Sequence, residues 1–131
     1  MKTTPLPGGA LEYAVLIALW DLGAASAREI HTRVGLPDGL AYTTTAKVLD
    51  RLHAKGLVSH KRSGKAFIYR PRVERESLDR ARATELVRRF LGPQPRPAVA
   101  TLVDAVESVD SDLLDELQRA VDARRRSRHG S

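Results

Sequence analysis

The 131-residue chain contains no cysteine and no asparagine, and aromatic residues make up only 5% of it. The lack of cysteine excludes a disulfide framework, a thiolate nucleophile and a cysteine-ligated metal site, and it fits a reducing compartment. No segment approaches the roughly 20 apolar residues that a membrane span needs, and the first residues lead into no signal-like apolar run. We therefore expect a cytoplasmic protein.

What the chain does have is an ordinary hydrophobic content and a concentrated positive charge. With 42% hydrophobic residues, it is long enough for one compact domain or for a small domain with an extension. Residues 28–75 hold eleven Lys and Arg against four Asp and Glu, whereas the rest holds eleven against twelve, so the net charge of +6 arises in this window. A polyanion, nucleic acid first of all, is therefore the leading partner.

The first half of the sequence predicts three short helices. From Ala10 to Leu22 the apolar residues recur with helical spacing. Ser26 and Glu29 have the spacing of a capping box, which predicts a second helix ending at Gly35. Behind a turn-rich segment, residues 41–55 predict a third helix with one apolar stripe. We assign that stripe to the core, and it consists of Thr45, Val48, Leu49 and Leu52.

The pattern then changes from helical to alternating. Residues 57–62 and 66–70 form two β-type runs joined through Ser63-Gly64-Lys65, and Pro71 closes the second run. This predicts a hairpin with a glycine-containing loop. Three helices followed by a basic hairpin is the order of a winged helix-turn-helix, in which helices two and three form the helix-turn-helix and the hairpin is the wing.

Beyond the hairpin the sequence is helical again. One helix is predicted over residues 76–91, and three prolines between residues 93 and 97 break it. Two more helices are predicted, over residues 98–109 and from a cap at Asp110 or Ser111 onward. Short helices of this kind need another surface to bury their apolar stripes, and a partner subunit is the economical choice. The predicted fold is mostly α with a small β-hairpin wing, a winged helix-turn-helix plus a C-terminal helical dimerisation region.

These features divide the chain into an N-terminal arm at residues 1–9, a winged helix-turn-helix at 10–73, a helical dimerisation region at 74–123 and a basic tail at 124–131. The predicted dimer interface is the apolar stripe of the last two helices, namely Val99, Leu102, Val103, Val106, Leu113, Leu117 and Val121. Packing of this stripe against Leu86 and Phe90 within one chain is the alternative. We expect the arginine-rich tail to be frayed and solvated, with DNA contact as the other interpretation.

Several segments resemble the penicillinase-repressor (BlaI/MecI) family, in register from about Leu11 to Val121. The matching motifs are Leu11–Leu16 with Leu19-Trp20, Leu40–Thr45, Val48–Leu52, Lys55–Val58 and Phe67–Pro71. The resemblance implies a bacterial homodimeric repressor. Such a protein binds a palindromic DNA operator through its N-terminal winged helix and dimerises through its C-terminal helices.

The candidate DNA-contacting residues lie on the third helix and on the wing. A recognition helix enters the major groove through its N-terminal turns, where hydroxyl groups bond to base edges or phosphates. Lysine and arginine on a wing suit phosphate or minor-groove contacts. The predicted DNA-binding residues are Tyr42, Thr43, Thr44, Lys47, Arg51, Lys61, Arg62 and Lys65. Lys47 departs from the smaller uncharged residue frequent there in the family, and it contacts either a guanine or a phosphate.

Each of these candidates has a plain structural alternative. Tyr42 is otherwise a capping or core aromatic, and the two threonines are otherwise an ordinary helix start. The wing cations are otherwise part of a solvated turn. Arg28 and Arg51 also reach the DNA backbone in this interpretation, but Arg51 alternatively pairs with Asp50 or Glu29 within the domain.

The sequence does not identify the signal that regulates this protein. In staphylococcal-type relatives, a sensor-protease signals cleavage of an Asn-Phe bond, but this chain has no asparagine and aligns Leu102-Val103 with that bond. Copper-responsive relatives carry a C-terminal cysteine cluster, which is absent here as well. Another regulatory protease, a small-molecule inducer, or no trigger at all are the remaining alternatives.

The residues give no sign of an enzyme. The histidines at positions 31, 53, 60 and 129 show no metal-ligand spacing, and we find neither a glycine-rich phosphate loop nor a nucleophile arrangement. We predict no catalysis, no cofactor and no metal. The acidic group Asp110, Asp112, Asp115 and Glu116 suits a helix N-terminus better than a cation site. The rival function is a winged-helix protein-interaction module without sequence-specific DNA binding.

Overall fold

A computed structural model gives the fold and describes residues Gly8 to His129. In chain order its elements are α1 (Ala10–Leu22), β1 (Ala25–Ser26), α2 (Ala27–Ile30), α3 (Tyr42–Ala54), β2 (Val58–Ser63), β3 (Ala66–Pro71), α4 (Arg75–Leu91), α5 (Pro95–Val109) and α6 (Asp112–His129). Between α2 and α3 the chain makes a π-helical turn, His31–Gly35, and a 3-10 turn, Leu36–Asp38. The predicted mostly α fold with a small β-hairpin wing is confirmed. Most of the predicted N-terminal arm, residues 1–7, lies outside the described residues.

The chain divides into two compact units. The first ends at Thr84 and the second begins at Glu85, so the division falls inside α4. The segment boundaries expected from sequence, at residues 74 and 124, stay predictions. None of the helices that the structure describes is both long enough and apolar enough to cross a bilayer.

The core of the first unit is built from the apolar faces of its helices and of the sheet. The predicted α3 stripe is confirmed, because all four of its members are buried. Removing a leucine, isoleucine or valine side chain from water stabilises a fold by about 1.5–3 kcal/mol. The largest fully buried side chains in this core are Leu16, Leu19, Ile30, Leu49, Leu52, Leu57 and Leu78.

The hairpin forms as predicted but belongs to a three-stranded sheet. The strand order is β1-β3-β2, and both pairings are antiparallel. Ser63 pairs with Ala66, which leaves a two-residue loop, and Gly64 adopts a φ of +64° that glycine tolerates best. β1, whose Ala25 pairs with Tyr69, was missed by the sequence reasoning because two residues are too few to show an alternating pattern.

The start of α2 confirms the predicted capping box. The Glu29 backbone N–H donates to the Ser26 hydroxyl oxygen at 3.2 Å, and the Ser26 N–H donates to Glu29 Oε1 at 3.0 Å. Two backbone donors that the helix cannot satisfy internally are therefore bonded to side chains. Since Ser26 is also the last residue of β1, the same residue anchors α2 to the sheet.

Aromatic residues of α1 hold the first turns of α4. The Trp20 indole N–H donates to the Val73 carbonyl oxygen at 2.9 Å, just before α4 begins. The Tyr13 hydroxyl donates to a carboxylate oxygen of Asp79, and the Arg82 guanidinium lies 3.5 Å from the centre of the Tyr13 ring. Hydrogen bonding and cation–π attraction thus fix the start of α4 on α1 within the first unit.

Two predictions about the second unit are wrong. α5 begins at Pro95 rather than after Pro97, so two of the three prolines lie in its first turn. Proline fits there because first-turn N–H groups have no partner within the helix. α6 extends to His129, so the arginines from Arg124 onward are helical rather than a frayed tail, while residues 130–131 lie outside the described residues.

Candidate nucleic-acid interface

The N-terminal half of α3 presents its polar residues on the side opposite its buried stripe. Tyr42, Thr43 and Lys47 are exposed, and Thr44 is half-buried. Thr45 points into the core instead, as predicted. The helix begins at Tyr42 after Ala41, and no side chain caps it. The hydroxyl groups of the first turn are therefore available to an external partner.

Tyr42 is neither a cap nor a core residue. Its side chain is 43% exposed, and its ring packs edge-on against His31 with the centroids 5.6 Å apart. The Arg28 guanidinium lies 5.6 Å from the centre of the same ring. A cation above the ring and an imidazole at its side hold the aromatic at the surface. Tyr42 thus joins α2 to the start of α3.

A small hydrogen-bonded contact sets how closely α3 approaches the preceding turn. The imidazole Nδ1 of His31 lies 2.8 Å from the Thr45 hydroxyl oxygen, and both groups are buried. A Cβ at Gly35 would lie 2.3 Å from His31 Nδ1 and 2.5 Å from Thr45 Oγ1. Only glycine leaves room for this bond. The position of α3 therefore depends on three buried residues, His31, Gly35 and Thr45.

The wing carries the predicted cations at its surface. Lys61, Arg62 and Lys65 are all exposed. The Arg62 Nε–H donates to the Gly64 carbonyl oxygen at 3.4 Å, and its guanidinium lies 5.8 Å from the centre of the Phe67 ring. A shallow recess of about 270 Å³ on the hairpin adds Arg70 to the same cationic surface. Sequence reasoning did not single out Arg70, although the charge window of residues 28–75 includes it.

Arg51 does not make the internal ion pairs that were its alternative role. It is exposed, and in the part of the chain that the structure describes it forms no salt bridge with Asp50 or Glu29. Glu29 is engaged in the capping box instead. Arg51 is therefore a surface cation two turns along α3 from Thr44.

An aromatic cluster that sequence reasoning missed joins the end of α3 to the wing. The imidazoles of His53 and His60 lie with their centroids 4.1 Å apart, and His60 also contacts the rings of Phe67 and Tyr69 at 4.4 and 5.5 Å. Burial raises the pKa of the Tyr69 hydroxyl, and the charges of Asp50 and Tyr42 raise it further. Residues 53 and 60 face each other only once the hairpin has folded, so spacing alone gave no signal.

His31, His53 and His60 make contacts with other rings. Within Gly8–His129 no group of three or more His, Asp or Glu side chains is arranged to hold an ion. The His60 Nδ1 is buried and has no hydrogen-bond partner among the described residues. The stacked rings therefore serve as a packing contact between helix and hairpin.

The residues of the predicted dimer stripe are exposed or half-buried within one chain. No residue from Glu85 to His129 is buried. Leu86 is 64% exposed and Phe90 is 45% exposed, so these two residues do not cover the stripe as the intramolecular alternative required. Val99, Leu113 and Val121 are exposed as well. Apolar surface of this extent on a small unit is typical of an interaction site.

Comparison with known proteins bears directly on this arrangement. Residues 8–123 match the penicillinase repressor family. The transcriptional regulator BlaI of Mycobacterium tuberculosis is 34% identical over 114 residues, which cover 86% of this chain and 81% of that protein. The resemblance predicted from the sequence motifs is confirmed.

Solved structures to which this chain is similar include the DNA binding domain of the repressor BlaI, at 22% identity and a TM-score of 0.49, covering 55% of this chain and 89% of that one. The PcaV transcriptional regulator from Streptomyces coelicolor is 26% identical with a TM-score of 0.47, covering 83% of this chain and 79% of that one. The family match extends over both compact units and over every residue of the α3 and wing surface. The chain belongs to the penicillinase repressor family of transcriptional regulators, whose members are not enzymes.

Proposed function

We propose that this protein is a homodimeric repressor that binds a palindromic DNA operator with one winged helix per subunit. The observation that carries the proposal is the outer face of α3, where Tyr42, Thr43 and Lys47 are exposed and Thr44 is half-buried. The cations of the wing are exposed as well. Hydroxyl and amino groups at the start of an exposed helix are the donors and acceptors that read base edges in the major groove. Relatives named as transcriptional regulators support this assignment.

The cations divide by position into two roles. Lys61, Arg62 and Lys65 project from the hairpin and neutralise phosphates or enter the minor groove beside the recognition helix. Arg51 lies further along α3 and contacts the backbone that borders the major groove. Lys47, one turn after Thr43, contacts either a guanine or a phosphate. The wing and Arg51 thus position the protein, and the start of α3 supplies sequence specificity.

Dimerisation is supported by the exposed stripe of the second unit. Its members lie on α5 and α6, and none of them is buried within one chain. Covering them by a second copy removes apolar surface from water and joins two winged helices into a two-fold symmetric protein. Such a dimer reads two half-sites about one helical turn, or a multiple of one, apart. A protein acting on operator DNA in this way works in the bacterial cytoplasm.

The experiment is a gel-shift titration of the full chain against the DNA upstream of its own gene, with non-specific competitor and at two salt concentrations. If each subunit neutralises three or four phosphates, the log–log slope of affinity against salt is about −5 to −7 for a dimer. A competitor-resistant complex with this slope is expected. If no upstream or genome-selected fragment gives such a complex, the alternative of a winged-helix protein-interaction module replaces the proposal.

A further inference from the structure

A cleft of about 530 Å³ separates the recognition helix from the wing. Its walls come from the start of α2, from α3 and from β3 with the hairpin loop, all within the first unit. Small side chains, Ala27, Ala46 and Ala66, leave the space open. The nearly buried Tyr69 also lines it. The cleft is large enough for a single-ring organic molecule.

The lining combines aromatic surface with positive charge. Tyr42 and Phe67 are 43% and 42% exposed, so both rings have area that packing within the protein does not cover. Arg28 and Lys65 supply a guanidinium and an ammonium group. Among the described residues, none that lines the cleft is acidic. Flat apolar rings beside unneutralised cations attract a ligand that is itself both aromatic and anionic.

Arg28 and Lys65 differ in the contacts that they make within the protein. The Arg28 guanidinium lies over the Tyr42 ring, and both residues line the cleft. Lys65, at the hairpin turn, has no carboxylate partner among the described residues and is exposed. An anion bound in the cleft replaces water at Lys65 and leaves the Arg28–Tyr42 contact in place. Lys65 is therefore the cation that a ligand carboxylate meets without displacing a partner of this chain.

We propose that this cleft binds a small aromatic carboxylate, and that the ligand and operator DNA exclude each other. The second part rests on the proposed function, because Tyr42 and Lys65 belong to the predicted DNA surface. A carboxylate neutralises cations that would otherwise meet phosphate, and a ring in the cleft occupies the space between recognition helix and wing. Ligand binding and DNA release are then linked by the same side chains. This supplies an inducer for a chain that lacks both the Asn-Phe bond and the cysteine cluster.

The direct test is calorimetric or NMR titration of the full chain, without DNA, with 2-hydroxybenzoate at constant ionic strength. Cyclohexanecarboxylate keeps the charge but lacks the aromatic ring, and benzyl alcohol keeps the ring but lacks the charge. We expect cyclohexanecarboxylate to bind about threefold or more weakly, since it loses the stacking and cation–π contacts. We expect benzyl alcohol to bind about tenfold or more weakly, since it loses the charged hydrogen bond. No saturable binding of 2-hydroxybenzoate, or equal binding of all three probes, overturns the proposal.

Variants locate the binding site. Ala46→Leu fills the cleft and is expected to abolish binding, and Lys65→Gln is expected to weaken it by about tenfold. Lys61→Gln removes the same charge from the same hairpin but lies outside the cleft, so it is the matched control. Urea unfolding confirms that each variant remains folded. If Lys61→Gln weakens binding as much as Lys65→Gln, the ligand sits elsewhere and the proposal is wrong.

The gel shift separates this proposal from the proposed function. With chloride replaced by 2-hydroxybenzoate at equal ionic strength, the protein concentration for half-saturation of DNA is expected to rise. Cyclohexanecarboxylate at the same concentration is expected to raise it by a smaller factor, in line with its weaker binding. Binding of 2-hydroxybenzoate by a protein that shows no specific DNA complex would support the cleft and refute the repressor assignment. If the protein forms a specific DNA complex but does not bind 2-hydroxybenzoate, and 2-hydroxybenzoate does not change DNA binding, the cleft proposal is refuted and the repressor assignment is supported.

Discussion

Lys55 and Glu12 form an ion pair that closes the end of α3 onto α1. The Lys55 Nζ lies 3.1 Å from Glu12 Oε1 and 3.2 Å from Oε2, and the Gly8 backbone N–H also donates to Oε2. The Glu12 side chain is only 6% exposed, whereas that of Lys55 is 32% exposed. A carboxylate this deep is tolerated because a cation and a backbone donor compensate it. The pair therefore fixes the C-terminal end of α3.

Lys55→Met is expected to lower the free energy of unfolding by about 2 kcal/mol, because it leaves the Glu12 carboxylate buried without its cation. The loss is smaller than for a fully buried pair because Lys55 keeps part of its contact with water. Urea unfolding measures it, and Lys61→Met, which removes an exposed lysine, is the control. Adding Glu12→Leu to Lys55→Met should restore much of the stability. A double variant no more stable than Lys55→Met would show that the buried charge was not the cause.

Gly35→Ala tests the contact that seats α3 against the preceding turn. The added methyl group would meet His31 Nδ1 and Thr45 Oγ1 at 2.3 and 2.5 Å, so the buried hydrogen bond has to break or the helix has to move. We expect a loss of about 2 kcal/mol in unfolding free energy. Gly9→Ala, where a Cβ meets nothing within 4 Å, should change stability by less than about 1 kcal/mol. Equal effects of the two substitutions would contradict this account.

Thr44→Ala is expected to weaken binding to the operator by about tenfold while leaving non-specific DNA affinity almost unchanged, because the lost hydroxyl and methyl contacts are to bases rather than to phosphates. Gel shifts with specific and random duplexes at one salt concentration measure both. Thr84→Ala removes an exposed threonine of α4 and is the control. An equal loss of affinity for the specific and the random duplex would show that Thr44 contacts the DNA backbone rather than the bases.

Leu117→Asp is expected to convert the protein into monomers that bind half-sites weakly, because a carboxylate within the apolar stripe cannot be covered by a second copy. Sedimentation velocity gives the oligomeric state, and the gel shift gives the affinity. Thr101→Asp adds the same charge to α5 at an exposed position outside the stripe and should stay dimeric. A Leu117→Asp protein that is still dimeric would assign the interface to other residues.

The raised pKa of the Tyr69 hydroxyl predicts a loss of stability at high pH. Burial raises the pKa of its hydroxyl above the ordinary value of 10.0, so the unfolded chain loses this proton first as pH rises. The stabilising contribution is therefore complete below pH about 10 and decreases as the pH rises toward the folded-state pKa. The unfolding free energy of Tyr69→Phe should fall less steeply than that of the parent protein in this range. Identical slopes would refute the contribution of Tyr69.

Sequence patterns predict the structural features that are encoded by neighbouring residues in the chain. The capping box of Ser26 and Glu29, the four-residue stripe of α3 and the hairpin around Gly64 each depend on residues close together in the chain. The sequence pattern places the start of α5 too late because proline usually breaks a helix, although Pro95 and Pro97 lie in the first turn of this one. The extent of α6 was underestimated because a run of arginines carries no apolar period to mark a helix.

The amino-acid sequence alone predicts the order of helices and hairpin, the placement of positive charge and the residues at the start of α3. Those properties follow from local spacing and composition, which tertiary folding does not alter. The family is indicated by the resemblance of several motifs. Only the tertiary structure brought Lys55 to Glu12, His53 to His60 and Arg28 to the Tyr42 ring. It alone opened the cleft between α3 and the wing. These contacts join residues on different elements, and their distances are set by how the shared core packs rather than by their spacing along the chain.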